Sequence, residues 1–144
     1  NAYCNERTIM ENPSTFPIGE PNDGFAQYFV GQSYLASVLD TPEFSIHNVT
    51  FEPGCRNNWH IHHGGAQVLI AVGGRGYYQI EGQEPKELKA GEAVCIPADT
   101  KHWHGAAPGE SFSHLAFMVP AGDPDAMSNE WLEPVDAQAY ESLA

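Results

Sequence analysis

The sequence is poor in basic residues, with 6 lysines and arginines against 19 aspartates and glutamates in 144 residues. The resulting net charge of −13 would repel the phosphate backbone of nucleic acids and the anionic surface of a membrane. The central segment 51–104 contains six acids and five bases, so the excess negative charge lies in the two flanking segments. We interpret this acidity as a solvated surface and expect neither a nucleic-acid partner nor a membrane partner.

Cysteines and long apolar runs are also scarce. Cys4, Cys55 and Cys95 are an odd number without a C-x-x-C pair, which argues against a disulfide framework and a zinc ribbon and favours a reducing, cytoplasmic setting. No apolar run approaches the roughly 18 residues of a membrane span. The N-terminus lacks a basic region followed by an apolar one, so no signal peptide is visible in these residues.

Helical periodicity is almost absent between residues 25 and 120. Short apolar runs instead recur between Gly and Pro signals, a pattern typical of an all-β domain with antiparallel strands. The 144 residues leave room for a single domain. The predicted strand runs are 28–39, 45–51, 66–72, 75–80, 93–96 and 112–119.

The glycine and proline residues between these runs predict tight turns. Glu52-Pro53-Gly54-Cys55 has the residues of a type II turn, and Gly73-Gly74 is expected to form a two-residue hairpin loop. A closed or sandwiched antiparallel barrel follows, and we assign it to residues 25–121. Residues 1–24 are expected to form an N-terminal arm, and residues 122–144 a tail with a short helix that Asp136 caps.

Five of the seven histidines fall into two clusters, His60-Ile61-His62-His63 and His102-Trp103-His104. Residues two apart on a strand share a face, so each cluster contributes a pair of imidazoles on one face. Gln67 begins the following run, on the face that it shares with Leu69. Two imidazole pairs and an amide oxygen can therefore meet across the barrel.

Burying these groups without partners would cost roughly 1 to 3 kcal/mol for each unsatisfied group, and a divalent metal removes that cost. Imidazole nitrogens suit Zn, Cu, Fe or Ni, and the amide oxygen is also acceptable to Mn. The alternatives are a surface cluster of histidines, or core histidines that are bonded to the backbone. Two paired clusters together with a glutamine favour the metal site.

At these residues the sequence resembles the cupin superfamily. The first cupin motif corresponds to Gly54, His60-Ile61-His62, Gln67 and Gly74, with Gln67 in place of the usual Glu and one extra residue before it. The second motif corresponds to Gly91, Pro97 and His102, with Asp99 in place of a Gly and Ala106 in place of an Asn. The resemblance covers about residues 45 to 119 and implies a single-domain, jelly-roll-like double-stranded β-helix.

The resemblance also implies a ligand set and a chemistry. By carry-over, the metal ligands are His60, His62, Gln67 and His102. The string His102-Trp103-His104-Gly105, followed by His114, is similar to small bacterial cupins that include manganese-dependent hydroxynitrile lyases and relatives of carboxymuconolactone decarboxylase. The cofactor implied is a divalent transition metal, with Mn favoured and Zn, Fe and Ni as alternatives. Without a ligating carboxylate the ion keeps its full charge and is a stronger Lewis acid.

His104 shares a face with His102 and is our first choice for a general acid or base, and His114 is the second. The alternative is that His104 only makes a hydrogen bond behind the metal ligands and takes no part in catalysis. We expect a small-molecule substrate, in a pocket lined by His47, Val49, Phe51, Leu69 and Met118. His63 is expected on the surface. The apolar face formed by Trp59, Ile61 and Trp103 favours packing against the second sheet, the arm or another subunit, and hence a homodimer.

Three functions stay open at this point. The first is a redox-neutral lyase that acts on a small substrate with a hydroxyl or carbonyl group. The second is a metal-dependent dioxygenase, which requires a redox-active ion. The third is a protein that binds a small molecule without turnover, because one fold hosts many chemistries.

Overall fold

A computed structural model describes residues 10–144, which form a curled antiparallel β-sheet with one short α-helix near the C-terminus. The expected all-β class and single-domain architecture are confirmed. The strands are β1 (Glu20–Pro21), β2 (Phe29–Val30), β3 (Ser33–Asp40), β4 (Ser45–Phe51), β5 (Arg56–Asn57), β6 (His60–His63), β7 (Gly65–Ile80), β8 (Lys86–Lys89), β9 (Ala93–Ile96), β10 (His102–Ala106), β11 (Phe112–Pro120) and β12 (Ser128–Trp131). The α-helix α1 covers Ala137–Glu141, and two 3-10 helices cover Asp23–Tyr28 and Pro124–Ala126.

The hydrogen-bonded order of the strands is β1-β3-β4-β11-β7-β10-β5-β2, with β6 and β12 added beyond β10, and β8 and β9 beside β7. The first half of β7 pairs with β11 and β9, while its second half pairs with β10 and β8. β7 thus belongs to both faces of the curled sheet. The face that ends in β6 and β10 carries the histidine clusters.

The expected hairpin at Gly73-Gly74 is wrong, because both glycines lie inside the continuous strand β7. The chain bends there and does not reverse. Gly74 has a φ of 68°, and a Cβ on this residue would lie 1.9 Å from the carbonyl oxygen of Ser111. The positive φ therefore serves a bend that carries one strand from the first face to the second.

The other turn signals behave as expected. Gly54 has a φ of 85°, and the Cys55 amide donates to the Glu52 carbonyl over 2.9 Å, which confirms the turn at Glu52-Pro53-Gly54-Cys55. The predicted run 28–39 is interrupted at residues 31–32 because its two parts pair on different faces. β2 pairs with β5, and β3 pairs with β4.

The C-terminal tail packs against the sheet. The Asp136 carboxylate accepts a hydrogen bond from the Ala139 amide over 2.9 Å, which confirms the expected helix cap. The Tyr140 hydroxyl donates to the carbonyl of Ala106, and the Tyr140 ring lies 5.9 Å from the ring of Trp103. Trp103 is thus covered by the chain's own tail. Trp103, which is 1% exposed, is therefore not available to a second subunit.

The described part of the expected arm is attached to the first face of the sheet. Glu20 and Pro21 pair with Leu35 and Tyr34 of β3, and the Asn48 side chain donates to the Pro17 carbonyl over 2.8 Å. Residues 1–9 of the arm, which include Cys4, lie outside the described residues. Among the residues described, no helix has both the length and the apolar composition needed to cross a bilayer.

Candidate metal centre

Three neighbouring strands supply the predicted metal ligands. His60 and His62 lie on β6, Gln67 lies near the start of β7, and His102 begins β10. His60 and His102 are direct antiparallel partners, so their side chains leave the sheet on the same side. His60 and His102 are almost fully buried, which places the cluster inside the curled sheet.

The structure brings the four side chains together. One ring nitrogen from each of His60, His62 and His102 lies within 4.8 Å of the others. The Oε1 atom of Gln67 lies 3.1 Å from Nε2 of His62 and 3.3 Å from Nε2 of His102. These atoms surround one point, as the ligands of a single cation would.

The opposite nitrogen of each imidazole already has a partner. Nδ1 of His60 donates to the Asn58 carbonyl over 2.8 Å, and Nδ1 of His102 donates to the Thr100 carbonyl over 2.9 Å. Nδ1 of His62 donates to Oδ1 of Asn129 over 2.7 Å. Because each Nδ1 carries the proton, each Nε2 presents a lone pair, the form in which imidazole binds a metal.

The nitrogen and oxygen atoms at the centre of the cluster are suited to a cation. The unprotonated Nε2 atoms of His62 and His102 face the Oε1 atom of Gln67, so lone pairs point at lone pairs over short distances. A cation between them turns that repulsion into attraction. Three imidazole nitrogens and one amide oxygen are suitable ligands for a divalent transition metal. The residues present therefore fit such an ion.

The electrostatics of the cluster keep its imidazoles neutral. Burial holds the pKa of His60 well below its usual value, and the neighbouring His102 lowers it further. Burial also lowers the pKa of His102 to about 4 and lowers that of His62. Neutral imidazoles are available to a metal without competition from protons.

A second pair of histidines lies beside the metal centre. His104, two residues after His102 on β10, has its ring centroid 5.5 Å from that of His60. His114 on β11 donates from Nδ1 to the Leu115 carbonyl over 3.2 Å. Its Nε2 is therefore an acceptor, and it lies 3.2 Å from Nδ1 of His104. Nδ1 of His104 is the donor in that contact.

These contacts fix the lone pair of His104. With its proton on Nδ1, His104 has an unprotonated Nε2, which lies 3.2 Å from the amide nitrogen of Asn57. The Asn57 Oδ1 accepts a hydrogen bond from the backbone amide of His104 over 2.9 Å. Burial, followed by the neighbouring His114, holds the pKa of His104 well below its usual value. His104 is a neutral imidazole that can accept a proton at Nε2.

A cavity of about 460 Å³ opens onto both histidine groups. Its walls combine apolar side chains with the histidines, and among the described residues no lysine or arginine lines it. The volume is suitable for a small organic molecule. The apolar and aromatic residues of the lining are Phe25, Phe29, Leu35, Phe44, Val49, Ala116, Phe117, Met118, Pro120, Met127 and Trp131.

The structure places the five expected pocket residues in two groups. His47, Val49 and Met118 line the cavity together with three of the four candidate ligands, His60, His62 and Gln67. Phe51 and Leu69 are fully buried and do not line it. Phe51 instead packs behind the second histidine pair, with its ring 5.9 Å from that of His104 and 5.4 Å from that of His114. Leu69 lies opposite Ala116 in the sheet.

His63 points away from the cluster. Its Nε2 lies 2.9 Å from Glu130 and its Nδ1 lies 3.3 Å from Asp99, and all three side chains are substantially exposed. The two carboxylates raise the pKa of His63, with Glu130 contributing most. The expectation that this residue is on the surface is confirmed.

Three residues of the site were not expected from the sequence. Asn57 contacts His104, Asn129 contacts His62, and the ring of Trp131 lies 4.7 Å from that of His60. Asn129 and Trp131 belong to β12, which was assigned to the tail. A regular pattern in the sequence does not mark them, since β5 and β12 are too short to show one.

The curled sheet and the histidine centre define the class of the protein. Residues 47–119 match the family model described as a cupin domain, and the chain belongs to the cupin family. The resemblance stated from the two motifs is confirmed.

The chain is also similar to individual cupins and to a curated enzyme. A curated (R)-mandelonitrile lyase from Granulicella tundricola is 36% identical over 120 residues, which cover 81% of this chain and 88% of that protein. The crystal structure of a cupin-like protein from Thermotoga maritima has a TM-score of 0.78 and 32% identity, over 90% of this chain and 96% of the other. A cupin 2 conserved barrel domain protein from Rhodopseudomonas palustris has a TM-score of 0.62 at 17% identity, over 76% of this chain and 74% of the other, and shows the fold alone.

Proposed function

We propose that this chain is a metal-dependent lyase that cleaves a hydroxynitrile into an aldehyde or ketone and hydrogen cyanide. The observation that carries the proposal is the position of His104. It is a neutral imidazole whose ring lies beside the ligand His60, and both residues line one cavity. The similarity to a mandelonitrile lyase supports the same reaction class.

We propose His60, His62, Gln67 and His102 as the ligands, and manganese as the ion, with zinc, iron and nickel as alternatives. All four ligands are neutral, so they cancel none of the ion's charge. A bound divalent ion supplies Lewis acidity to an oxygen of the substrate. The amide oxygen of Gln67 is compatible with manganese.

We propose that His104 is the catalytic base and that His114 holds it in the required tautomer. His104 takes the hydroxyl proton of the substrate at Nε2 as the carbon–oxygen double bond forms. The bond between the carbinol carbon and the nitrile carbon breaks, and its electron pair leaves with cyanide. Cyanide recovers the proton from His104. The reaction is redox-neutral and needs no further reactant.

We propose that the substituent of the substrate lies against the apolar part of the cavity. His47, Val49 and Met118 line the cavity, while Phe51 and Leu69 are fully buried outside its lining. Aromatic and aliphatic side chains exclude water from the reacting atoms. This environment suits an aryl or alkyl group.

We also propose that the chain acts in the cytoplasm as a homodimer. Free thiols at Cys55 and Cys95 are consistent with a reducing compartment. The exposed side chains of Val38, Leu39 and Val119 offer apolar surface for a second copy.

The test is a rate measurement on the Mn²⁺-loaded protein. We expect release of benzaldehyde from mandelonitrile without oxygen uptake, and a loss of roughly 100-fold or more in kcat for His104→Ala. His63→Ala is the matched control, since this neighbouring histidine faces solvent. Stoichiometric oxygen uptake would identify a dioxygenase, and tight retention of mandelonitrile without turnover would identify a binding protein. Either result overturns the proposal.

A further inference from the structure

The tail strand β12 lies directly along the strand that carries two of the proposed ligands. Asn129 is the antiparallel partner of His62, and Trp131 is the partner of His60. β12 comprises Ser128–Trp131 and therefore lies after the segment 47–119 that matches the cupin domain. A segment outside that match thus borders the metal centre.

The three imidazoles are held in two different ways. His60 and His102 each donate from Nδ1 to the carbonyl of the residue two positions earlier, so the local backbone holds them. His62 instead donates to a side-chain oxygen, Oδ1 of Asn129, over 2.7 Å. Among these three ligands, the orientation and tautomer of His62 alone depend on a side chain from a distant part of the chain.

The partner side chain is itself fixed in position. Ser128 and Glu130, on either side of Asn129, pair through the backbone with His63 and Ile61 of β6. Trp131 stacks on Tyr28, with ring centroids 4.5 Å apart and an interplanar angle of 3°. Asn129 is therefore held at a defined distance from His62. A fixed acceptor at Nδ1 keeps the Nε2 lone pair of an imidazole directed at the metal position.

We propose that Asn129 is a positioning residue of the metal centre, which sets the affinity for the ion through His62. The proposal rests on the metal site of the proposed function. It makes β12 of the tail a functional part of that centre. Side chains that hold the outer nitrogen of a ligating histidine typically change metal affinity by about 10- to 100-fold.

The test compares Mn²⁺ affinity in three variants of the full chain, measured by competition with a chelating dye. Asn129→Leu keeps a similar side-chain size and removes the acceptor, and we expect its Kd to rise by roughly 10-fold or more. Asn129→Asp retains an acceptor oxygen, and we expect it to bind at least as tightly as the original protein. Ser128→Ala, next to it on the exposed strand, is the matched control and should leave the Kd unchanged.

A second measurement needs no metal. Long-range ¹H–¹⁵N spectra of the metal-free protein report which nitrogen of His62 carries the proton. We expect the Nδ1–H form in the original protein and in Ser128→Ala, and a mixture of the two forms in Asn129→Leu. Asn129→Ala removes the same acceptor and replaces the leucine variant if that one is poorly folded.

The outcomes separate the two proposals. If the original protein binds Mn²⁺ and the Kd of Asn129→Leu is within twofold of the original value, the role of Asn129 is overturned while the metal site stands. An unchanged His62 tautomer in Asn129→Leu overturns it too. If the original protein does not bind Mn²⁺, the metal site of the proposed function fails, and the role of Asn129 fails with it.

Discussion

His60 and His102 lie opposite each other on adjacent antiparallel strands, with their ring centroids 4.2 Å apart. These residues are 42 positions apart in the sequence, and each belongs to a different cupin motif. The pairing of β6 with β10 brings two distant motifs together on one side of the candidate metal centre. Two neutral imidazoles this close can bind the same cation.

Removal of either member of this pair is expected to empty the metal centre. We expect His60→Ala and His102→Ala to lose at least 90% of the bound metal, on the order of a tenfold or larger loss of affinity, since each deletes one of the few ligands. Elemental analysis after loading and desalting measures this. His63→Ala should keep its metal, and equal metal content in all three variants would contradict the assignment.

Replacing Gln67 by Glu tests the consequence of an all-neutral ligand set. A carboxylate adds a negative charge to the ligand set and offsets part of the charge of the ion. We therefore expect tighter Mn²⁺ binding, and a kcat for hydroxynitrile cleavage that is lower by roughly tenfold. Chelator competition and steady-state rates measure the two quantities. The proposed advantage of a neutral ligand would be wrong if Gln67→Glu were both tighter in binding and faster in turnover.

The buried histidine pair predicts acid sensitivity of the metal-free fold. Burial lowers the pKa of His114 to about 4, and the group that faces it is His104, which is also kept neutral. The unfolded chain takes up a proton near its ordinary pKa of about 6.5. The stabilising contribution is therefore complete above about pH 6.5 and is lost as the pH falls from there towards about 4.

Urea unfolding of the chelator-treated protein between pH 7.5 and pH 5 measures this effect. His114→Gln removes one of the titrating groups, so we expect its free energy of unfolding to fall less steeply with decreasing pH, by up to roughly 1.4 kcal/mol per pH unit. His63→Gln is the opposite case, because the carboxylates raise the pKa of His63 and its removal should make the decrease steeper. Parallel curves for the original protein and His114→Gln would show that His114 is not the group responsible.

The bend in β7 predicts a site that is intolerant of a side chain. A Cβ at Gly74 would lie 1.9 Å from the Ser111 carbonyl oxygen, on backbone with a φ of 68°. We expect Gly74→Ala to destabilise the fold by about 3 kcal/mol or more, because strain and a clash with backbone add. Gly109→Ala, where a Cβ would meet no atom within 4 Å, is the control for thermal unfolding.

The clustering of the candidate ligands was predictable because these residues follow the simplest rule of strand geometry. His60 and His62, like His102 and His104, are two apart and so share a face, and the family resemblance identified Gln67 as the fourth member. The exact agreement of β4 with the predicted run 45–51 has the same origin, since alternation persists over seven residues there. Long alternating strands and paired histidines are strong local signals.

The remaining features depend on contacts that local sequence does not encode. The glycines at 73–74 have the composition of a hairpin loop, and the close approach of Ser111 is what makes them a bend in one strand. Asn57 and Asn129 lie on short strands whose positions depend on pairing with β10 and β6. Tertiary pairing, which no local pattern reports, decided each of these cases.

Because β7 is one continuous strand, the number of residues along it fixes which side chains of its two halves face the same side. Gln67 lies on its first half, and Ile80, the last residue of the second half, pairs with His102. One extra residue inserted at the bend would turn one half over, because side chains alternate along a strand. Circular permutation or loop grafting in this protein should therefore use the turn at residues 81–82 and leave the glycine pair uncut.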